Sequence, residues 1–218
     1  MGRLHYQWMD LCVDIGQSIP EAEGLYADLQ SRYGEPWRSY RSLDHIEFML
    51  AEFDAYLREI ELDPADKGVV RMAVWYHHVV HNPQAKDNKE KSVALFRQIA
   101  ERKKWSSEFV AAVSSAMLAT KHDSIPHNLL AGIVCDLDLC ILGRPRHEFE
   151  MYELKIREEY EGSISEFCRE HVGNLQSFLD RPSIYSQEFF KKKLEERARE
   201  NLAQSIKQLS ARLNFKAC

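Results

Sequence analysis

The sequence predicts an all-helical fold for this chain of 218 residues. Apolar residues recur at steps of three and four along most of it, and no segment shows the strict alternation of a half-buried strand. Serine, proline and glycine stand where helices would begin and end. Because the hydrophobic fraction is 44% and no low-complexity linker divides the chain, we predict a single domain with a proper core. It is a helical bundle, with its core at about residues 18–145 and C-terminal helices at about residues 146–213.

The first helix is predicted from a start signal at Ser18-Ile19-Pro20-Glu21. A capping serine, an early proline and a glutamate at the third position favour a helix from there to about Tyr33, which Gly34 ends. A second helix is predicted from Ser42, because the following apolar residues form one continuous buried face. We expect Asp63-Pro64 to close it.

Two later segments are apolar nearly all round, a pattern typical of a helix enclosed by others. One is Val69–Val80, with two histidines inside it, and the other is Leu129–Leu142. Between them, helices are predicted from about Asn88 and from the cap-like Ser106-Ser107-Glu108. The remainder of the chain predicts two or three amphipathic helices.

The last predicted helix is strongly charged. Its run Lys191–Glu200 places opposite charges four residues apart, so the run is most simply a solvated helix face. The opposite, apolar side of the same helix should dock on the domain or pair with another subunit to form a homo-oligomer. It comprises Leu194, Ala198, Leu202, Ile206 and Leu209.

Composition and charge exclude several classes of protein. A net charge of −5 argues against non-specific nucleic-acid binding, which requires a basic surface. The apolar runs are too short to span a membrane, and the N-terminus lacks the apolar segment of a secretory signal, so we expect a cytoplasmic protein. The cysteines are odd in number, scattered and without a Cys-x-x-Cys pair, and we expect reduced thiols. They are Cys12, Cys135, Cys140, Cys168 and Cys218.

Polar residues interrupt the predicted apolar helices at four places. Burying an imidazole or a carboxylate without a partner costs free energy or shifts its pKa, so such interruptions need a reason. Any one of them alone is more often a core histidine or a helix cap than a ligand. Four in one chain indicate a functional site. They are Asp44-His45, His77-His78 with His81 one turn later, Thr120-Lys121-His122, and Asp136-Leu137-Asp138.

The order His45, His77, Asp138 resembles the H…HD…D pattern of the HD superfamily of metal-dependent phosphohydrolases. More narrowly, the chain resembles an uncharacterised branch of predicted HD phosphohydrolases through ordered blocks that cover nearly its whole length. These blocks are Tyr33-x-Glu35-Pro36-x-Arg38-x-Tyr40, His45-Ile46, Asp87-Asn88, Ser92, Thr120-x-His122, the run 136–143, Ile156-Arg157-x-Glu159-Tyr160, Arg181-Pro182-x-Ile184-Tyr185 and Arg197-Ala198-Arg199-x-Asn201-Leu202.

The resemblance implies an HD-like helical domain that holds a divalent metal and hydrolyses a nucleotide-like or other small phosphate ester. Such a metal polarises a phosphoryl oxygen and lowers the pKa of a bound water. The implied metal ligands are His45, His77, His78 and Asp138; the implied catalytic residues are Asp138, His122 and Lys121; and the implied phosphate-binding residues are Arg38, Arg41, Lys89 and Lys121.

The chain departs from the family pattern at three of these positions. His78 stands where the family has the aspartate of its HD pair, Arg41 replaces a histidine of the branch, and Lys89 replaces a glutamate. All three changes move the local charge in the positive direction.

The departures leave two interpretations open. If His78 reaches the metal, three imidazoles and Asp138 suit a transition metal, such as zinc, iron, manganese, nickel or cobalt, better than magnesium. If it does not, Arg41, Lys89 and Lys121 would repel a divalent ion and offer their charge to a phosphate directly. The site would then be degenerate and would bind a phosphorylated ligand without a metal and without hydrolysis. A purely structural helical adaptor would leave the retained cluster unexplained.

Several of these residues have a structural alternative. Asp136 and Asp138 lie about 200° apart around a helix, so Asp138 is the expected ligand and Asp136 is expected to orient a neighbour. His81 shares a face with His77 and could chelate a metal with it, but its place beside Asn82-Pro83 favours the surface.

For the arginines, the alternative to a bidentate phosphate clamp is a salt bridge. Arg38 and Arg41 lie close in sequence to Glu35 and Asp44, which are the acidic partners in question. Two further histidines, His127 and His147, are expected to be solvent-exposed.

Overall fold

The structure, a computed structural model, describes the backbone of residues 2–214 and the side chains of residues 2–213. Within this range the chain forms ten α-helices and one 3-10 helix and no strand, so the predicted all-helical fold is confirmed. The helices are α1 (Arg3–Asp14), α2 (Ile19–Tyr33), α3 (Leu43–Leu57), α4 (Pro64–Tyr76), α5 (Asn88–Lys103), α6 (Ser107–Ala119), α7 (Leu129–Leu139), the 3-10 helix (Cys140–Gly143), α8 (Arg146–Glu158), α9 (Ile164–Leu179) and α10 (Glu188–Asn214).

The chain divides into two compact units, and the division falls inside α7. The N-terminal unit is Met1–Leu137 and the C-terminal unit is Asp138–Cys218. The prediction of a single domain stays a prediction.

Helix α4 is the centre of the N-terminal unit. It packs against α1, α3, α5 and α6, and the ring of Trp75 near its end lies 5.1 Å from that of Trp8 and 6.1 Å from that of Tyr26. Because each large aromatic side chain contributes a few kcal/mol when buried, this cluster anchors the end of α4. The prediction of an enclosed central helix is confirmed.

The predicted start and end of α2 are both confirmed. The Glu21 carboxylate accepts hydrogen bonds from the backbone N–H (3.2 Å) and the hydroxyl (2.7 Å) of Ser18. These bonds, together with Lys103, lower the pKa of Glu21 to about 2. Gly34 is the C-cap residue of this helix.

Two predicted boundaries on either side of α4 are wrong. Helix α3 already ends at Leu57, and Asp63-Pro64 begins α4 instead of closing α3, with the proline in its first turn. Pro64 is tolerated there because the first N–H groups of a helix have no partner within it. At the other end α4 stops at Tyr76, so His77 and His78 follow the helix instead of lying inside it.

Helix α10 organises the C-terminal unit by packing along α9 and against the 3-10 helix. A Cβ atom on Gly143 would lie 2.6 Å from that of Leu194, so only glycine permits this approach. Asn201 donates from Nδ2 to the carbonyl oxygens of Leu142 (2.8 Å) and Arg144 (2.9 Å). Of the two roles predicted for the apolar face of α10, docking within the chain is therefore observed.

Four of the cysteines, Cys12, Cys135, Cys140 and Cys168, are buried and form no disulfide within the described residues. That they are reduced thiols stays a prediction. Burial raises the pKa of the Cys12 thiol to about 12. Cys218 lies outside the described residues. No helix in the described range combines the length and the apolar character that crossing a membrane requires.

Candidate metal centre

The candidate site is built around the segment His77–His81, here called the histidine turn. Helix α4 gives way to it because side chains compete for the last carbonyl oxygens of the helix. Tyr33 donates its hydroxyl hydrogen to the carbonyl oxygen of Trp75 (2.8 Å), and Nδ1 of His77 lies 2.7 Å from the carbonyl oxygen of Val74. Groups that a continuing helix would bond to its own N–H donors are therefore bonded to side chains.

Arg38 holds the backbone of the histidine turn through hydrogen bonds. Its guanidinium, whose side chain is fully buried, donates to the carbonyl oxygens of His78 (2.7 Å) and Val79 (3.2 Å). It also donates to the Glu35 carboxylate (2.9 Å) and to the carbonyl oxygen of Arg41 (3.1 Å). The salt-bridge alternative for Arg38 is thus observed, and its donors are directed at the backbone of the site.

Two more side chains hold the remainder of the turn. Trp37 donates from Nε1 to the carbonyl oxygen of His81 (2.9 Å). The Ser92 hydroxyl accepts from the backbone N–H of Val80 (3.1 Å) and donates to its carbonyl oxygen (3.3 Å). The backbone of the turn is consequently bonded at residue after residue, as buried polar groups require.

His45 and His77 bring their Nε2 atoms together in the interior. His45 lies in the first turn of α3 and His77 directly after α4, both are buried, and their Nε2 atoms are 3.3 Å apart. Since a carbonyl oxygen only accepts, Nδ1 of His77 must carry the hydrogen that faces Val74. Nε2 of neutral His77 then keeps its lone pair, the arrangement that orients a histidine as a metal ligand.

The wider group contains all four metal ligands predicted from the sequence. The rings of His77 and His78 are 4.3 Å apart between centroids, and those of His45 and His78 are 5.8 Å apart. Asp138 lies in the last turn of α7 and is half-buried. The ligand atoms of His45, His77, His78 and Asp138 all lie within 4.8 Å of one another, a group that could hold a metal ion.

The donor set fits a transition metal. Two imidazole nitrogens, each about 2.0–2.1 Å from a tetrahedral zinc, are about 3.3–3.4 Å apart, and the Nε2 atoms of His45 and His77 are separated by 3.3 Å. Three nitrogen donors with one carboxylate also favour such a metal over magnesium, which prefers oxygen ligands.

Lys89 introduces a competing charge. Its Nζ lies 3.4 Å from Nε2 of His78, and because an ammonium only donates, this nitrogen of His78 accepts. The lone pair of Nε2 of His78 is therefore directed at an ammonium group.

Lys121 lies in a surface ion pair. Its ammonium contacts the carboxylates of Glu90 (2.7 Å) and Asp123 (3.7 Å). The hydrogen bond between Lys121 and Glu90 is the main cause that raises the pKa of Lys121 and lowers the pKa of Glu90. His122 follows with a left-handed backbone, φ 58°, and is half-buried.

The other residues considered from the sequence divide between interior and surface. His81 is buried, so its predicted surface position is wrong. Asn88 explains this, because its side chain bonds Asn82 and folds the segment back despite the proline. Asp136 is buried. The pKa of Tyr56 is raised mainly by the burial of that tyrosine and secondly by the negative charge of Asp136. Asp44 is exposed, and so, as expected, are His127 and His147.

Sequence reasoning missed the side chains that fasten the site. Tyr33 and Ser92 belong to the ordered blocks, but nothing in a sequence assigns them to the carbonyl oxygens they contact. A further buried histidine was also missed: Nε2 of His171 on α9 lies 3.3 Å from the carboxylate of Glu153 on α8. The only available signal was its spacing, since His171 shares the apolar face of α9 with Phe167 and Leu175.

No protein-family model matches the chain, and neither a curated protein nor a solved structure shows significant similarity to it. The family resemblance therefore rests on the ordered residues of the sequence itself.

Proposed function

We propose that the chain is a metal-dependent phosphohydrolase of the HD superfamily that acts on a nucleotide-like or other small phosphate ester. The observation that carries this proposal is the group of His45, His77, His78 and Asp138, whose ligand atoms lie within 4.8 Å of one another. Positions 45, 77–78 and 138 are far apart in sequence, and their polar side chains converge in the fold, as buried imidazoles and carboxylates do when they coordinate a metal.

When bound, a transition metal supplies a Lewis acid that polarises a phosphoryl oxygen. The chain's own contribution is to hold the ligands ready. The bond from His77 Nδ1 to the carbonyl oxygen of Val74 fixes the orientation of that ring, and burial of His45 and His77 excludes bulk water from them. Arg38 keeps the backbone of the histidine turn in place.

Two of the four sequence-predicted residues for phosphate binding already have protein partners. Arg38 directs four bonds at protein acceptors, and Lys121 is paired at the surface with Glu90 and Asp123. We therefore assign phosphate binding to Lys89, whose Nζ lies 3.4 Å from Nε2 of His78, and keep Arg41 as the other sequence-predicted candidate. His122 is proposed as the proton donor to the leaving group.

A second candidate function is favoured by Lys89 itself. The Lys89 ammonium lies 3.4 Å from Nε2 of His78. Because like charges repel at this range, it would repel a divalent ion bound at His78. In this alternative the site is degenerate and binds a phosphorylated ligand through Lys89 without cleaving it.

One experiment tests both candidates. The full chain is purified without added metal, its metal content is determined by elemental analysis, and a panel of nucleotides and other phosphate esters is screened with several divalent cations. The proposal expects a stoichiometric transition metal and hydrolysis of at least one ester. The degenerate alternative expects no stoichiometric metal and no hydrolysis, but binding of a phosphate ester that calorimetry detects.

His45→Ala is the matched variant for the metal site, and His147→Ala, an exposed histidine elsewhere, is its control. The proposal requires that His45→Ala loses the metal and that His147→Ala keeps it. If both variants retain metal and activity equal to the parent chain, the proposed site is wrong.

A further inference from the structure

The C-terminal unit contains a cavity of about 300 Å³ between the faces of three helices. On α8 and α10 its lining residues recur with the three- and four-residue spacing of one helix face, and on α9 they occupy the first turns. A cavity of this size is within the range of small-molecule sites. The lining consists of Glu150, Glu153, Leu154 and Arg157 on α8, Ile164, Phe167 and Cys168 on α9, and Ser205, Gln208, Leu209 and Arg212 on α10.

The two arginines of the lining, Arg157 and Arg212, lie at one end of the cavity. Arg157 is in the last turn of α8, and a short connection leads from there to Ile164, the first residue of α9. Arg199 in the first half of α10 donates to the carbonyl oxygen of Leu179 at the end of α9, whereas residues of the second half of α10 line the cavity together with the first turns of α9, so these two helices are antiparallel. Arg212 in the last turn of α10 therefore lies at the same end, where the α9 N-terminus adds its partial positive charge.

Arg157 is held rigidly in this position. Its guanidinium lies over the ring of Phe167, 5.4 Å from the centroid, and donates to the carbonyl oxygens of Tyr160 (2.8 Å) and Gly162 (3.3 Å). A guanidinium has five N–H donors, so these two bonds orient the group without using its capacity. A preorganised donor of this kind binds an anion at a reduced cost in side-chain entropy.

The middle of the cavity is apolar. Phe167, Cys168 and Leu209 form a buried floor, whereas Leu154 and Ile164 on the rim are 57% and 47% exposed. Burying the exposed part of these two side chains would be favourable. The cavity therefore offers an apolar ligand both a floor and a rim to cover.

The acidic residues of the cavity are already engaged. Glu153 accepts hydrogen bonds from Ser205 and from Nε2 of His171 (3.3 Å), and Glu150 is paired with Arg146 (2.8 Å). These carboxylates would repel an anionic group placed beside them. An anionic head is consequently directed to the end with Arg157 and Arg212.

We propose that this cavity binds a small amphipathic carboxylate, with its carboxylate group at Arg157 and Arg212 and its aliphatic body over Phe167 and Leu209. None of the lining residues belongs to the candidate metal group, so the proposal does not rest on the proposed hydrolysis.

Octanoate is the probe, and its binding to the full chain is measured by isothermal titration calorimetry. Octylammonium has the same tail with the opposite charge, 1-octanol has the tail without charge, and acetate has the charge without the tail. We expect saturable binding of one octanoate per chain, at least about tenfold tighter than any of the three comparators.

Two variants locate the site. Arg212→Met should weaken octanoate binding about fivefold, as expected for one charge-assisted hydrogen bond at an accessible site. Leu154→Gln should weaken it about threefold through lost apolar contact. Both residues are on helix surfaces, so their replacement leaves the core of the unit intact. The matched controls are Arg169→Met and Met151→Gln, exposed residues of α9 and α8 that do not line the cavity.

The proposal is wrong if octanoate gives no saturable binding or if octylammonium or octanol binds equally well. It is equally wrong if Arg212→Met and Leu154→Gln bind octanoate as the controls do. Should the chain instead form a dimer in sedimentation experiments that Leu154→Gln abolishes, a second copy covers the apolar rim and the carboxylate proposal is overturned.

Discussion

Two segments of the N-terminal unit, both noted in the sequence for their histidines, differ in how deeply the structure buries them. The histidine turn, His77–His81, follows α4 and is almost entirely buried. The segment 120–128 follows α6 and is largely exposed, with Ile125 at 88%. Each carries a histidine within three residues of a helix end, yet only the histidine turn contributes residues to the candidate metal group.

The difference lies in what holds each segment. The histidine turn is fastened by side chains from distant positions, among them Arg38, Trp37 and Ser92, which satisfy its backbone groups. The segment 120–128 is tied by surface ion pairs of Lys121. Because an unsatisfied buried polar group costs far more than a lost surface contact, the first segment has one arrangement and the second tolerates several. A metal site requires the first kind of support.

The largest expected effect comes from removing the support beneath the histidine turn. Arg38→Met leaves the carbonyl oxygens of His78 and Val79 and the Glu35 carboxylate without their donor. We expect a loss of about 3–5 kcal/mol in the free energy of unfolding, measured with urea. The control Arg32→Met removes an accessible ion pair with Asp28 and should cost less than about 1 kcal/mol. Equal effects of the two variants would contradict the comparison.

The second effect concerns the charges at the three positions where the chain departs from the family pattern. Replacing His78 with Asp, Lys89 with Glu and Arg41 with His removes two cations and restores two carboxylates. The triple variant should bind a divalent transition metal at least about tenfold more tightly than the parent chain, or about 1.4 kcal/mol, as measured by calorimetry. His45→Ala in that background should abolish binding. If the triple variant binds metal more weakly and hydrolyses esters more slowly than the parent, His78 is a working ligand in an altered but active centre.

A smaller effect is expected from a single hydrogen bond at the end of α4. Tyr33→Phe removes the hydroxyl that donates to the carbonyl oxygen of Trp75 and preserves the ring. The free energy of unfolding should fall by about 1–2 kcal/mol, because a buried acceptor loses its partner. Tyr6→Phe, at an exposed tyrosine, is the control and should leave stability unchanged.

The smallest effect is expected in the segment 120–128. Lys121→Met removes the ion pair with Glu90, and the melting temperature should fall less than for Tyr33→Phe. The pKa of Glu90 is lowered, so its contribution is present above its unfolded pKa and is lost as the pH falls through the folded value. The pKa of Lys121 is raised, so its contribution is lost as the pH rises through the folded value. The difference from the parent chain should therefore be measurable at pH 7 and disappear at both extremes. A difference that grows on acidification would contradict this assignment.

The helix starts could be predicted because their signals are local. Ser18 with Glu21, and Ser106 before α6, act within one turn of chain, and both caps are observed. The end of α4 could not be predicted, since the pattern continues to Val80 while Tyr33, more than forty residues earlier, takes the carbonyl oxygen of Trp75. Helix α1 was also missed.

The sequence by itself determined the helical class, the enclosed position of α4 and the identity of the four residues in the candidate metal group. Periodicity suffices for the helical class and the enclosed helix, because the burial of apolar faces is a property of the residues themselves. The four ligand positions followed from the resemblance to the HD pattern, together with the ligand chemistry of histidine and aspartate. Only the tertiary structure decided that Arg38 supports the backbone, that His81 is buried, that Lys89 contacts His78 and that His45 and His77 are separated by 3.3 Å. These depend on which donor reaches which acceptor across the fold, and such long-range pairing leaves no periodic trace in the chain.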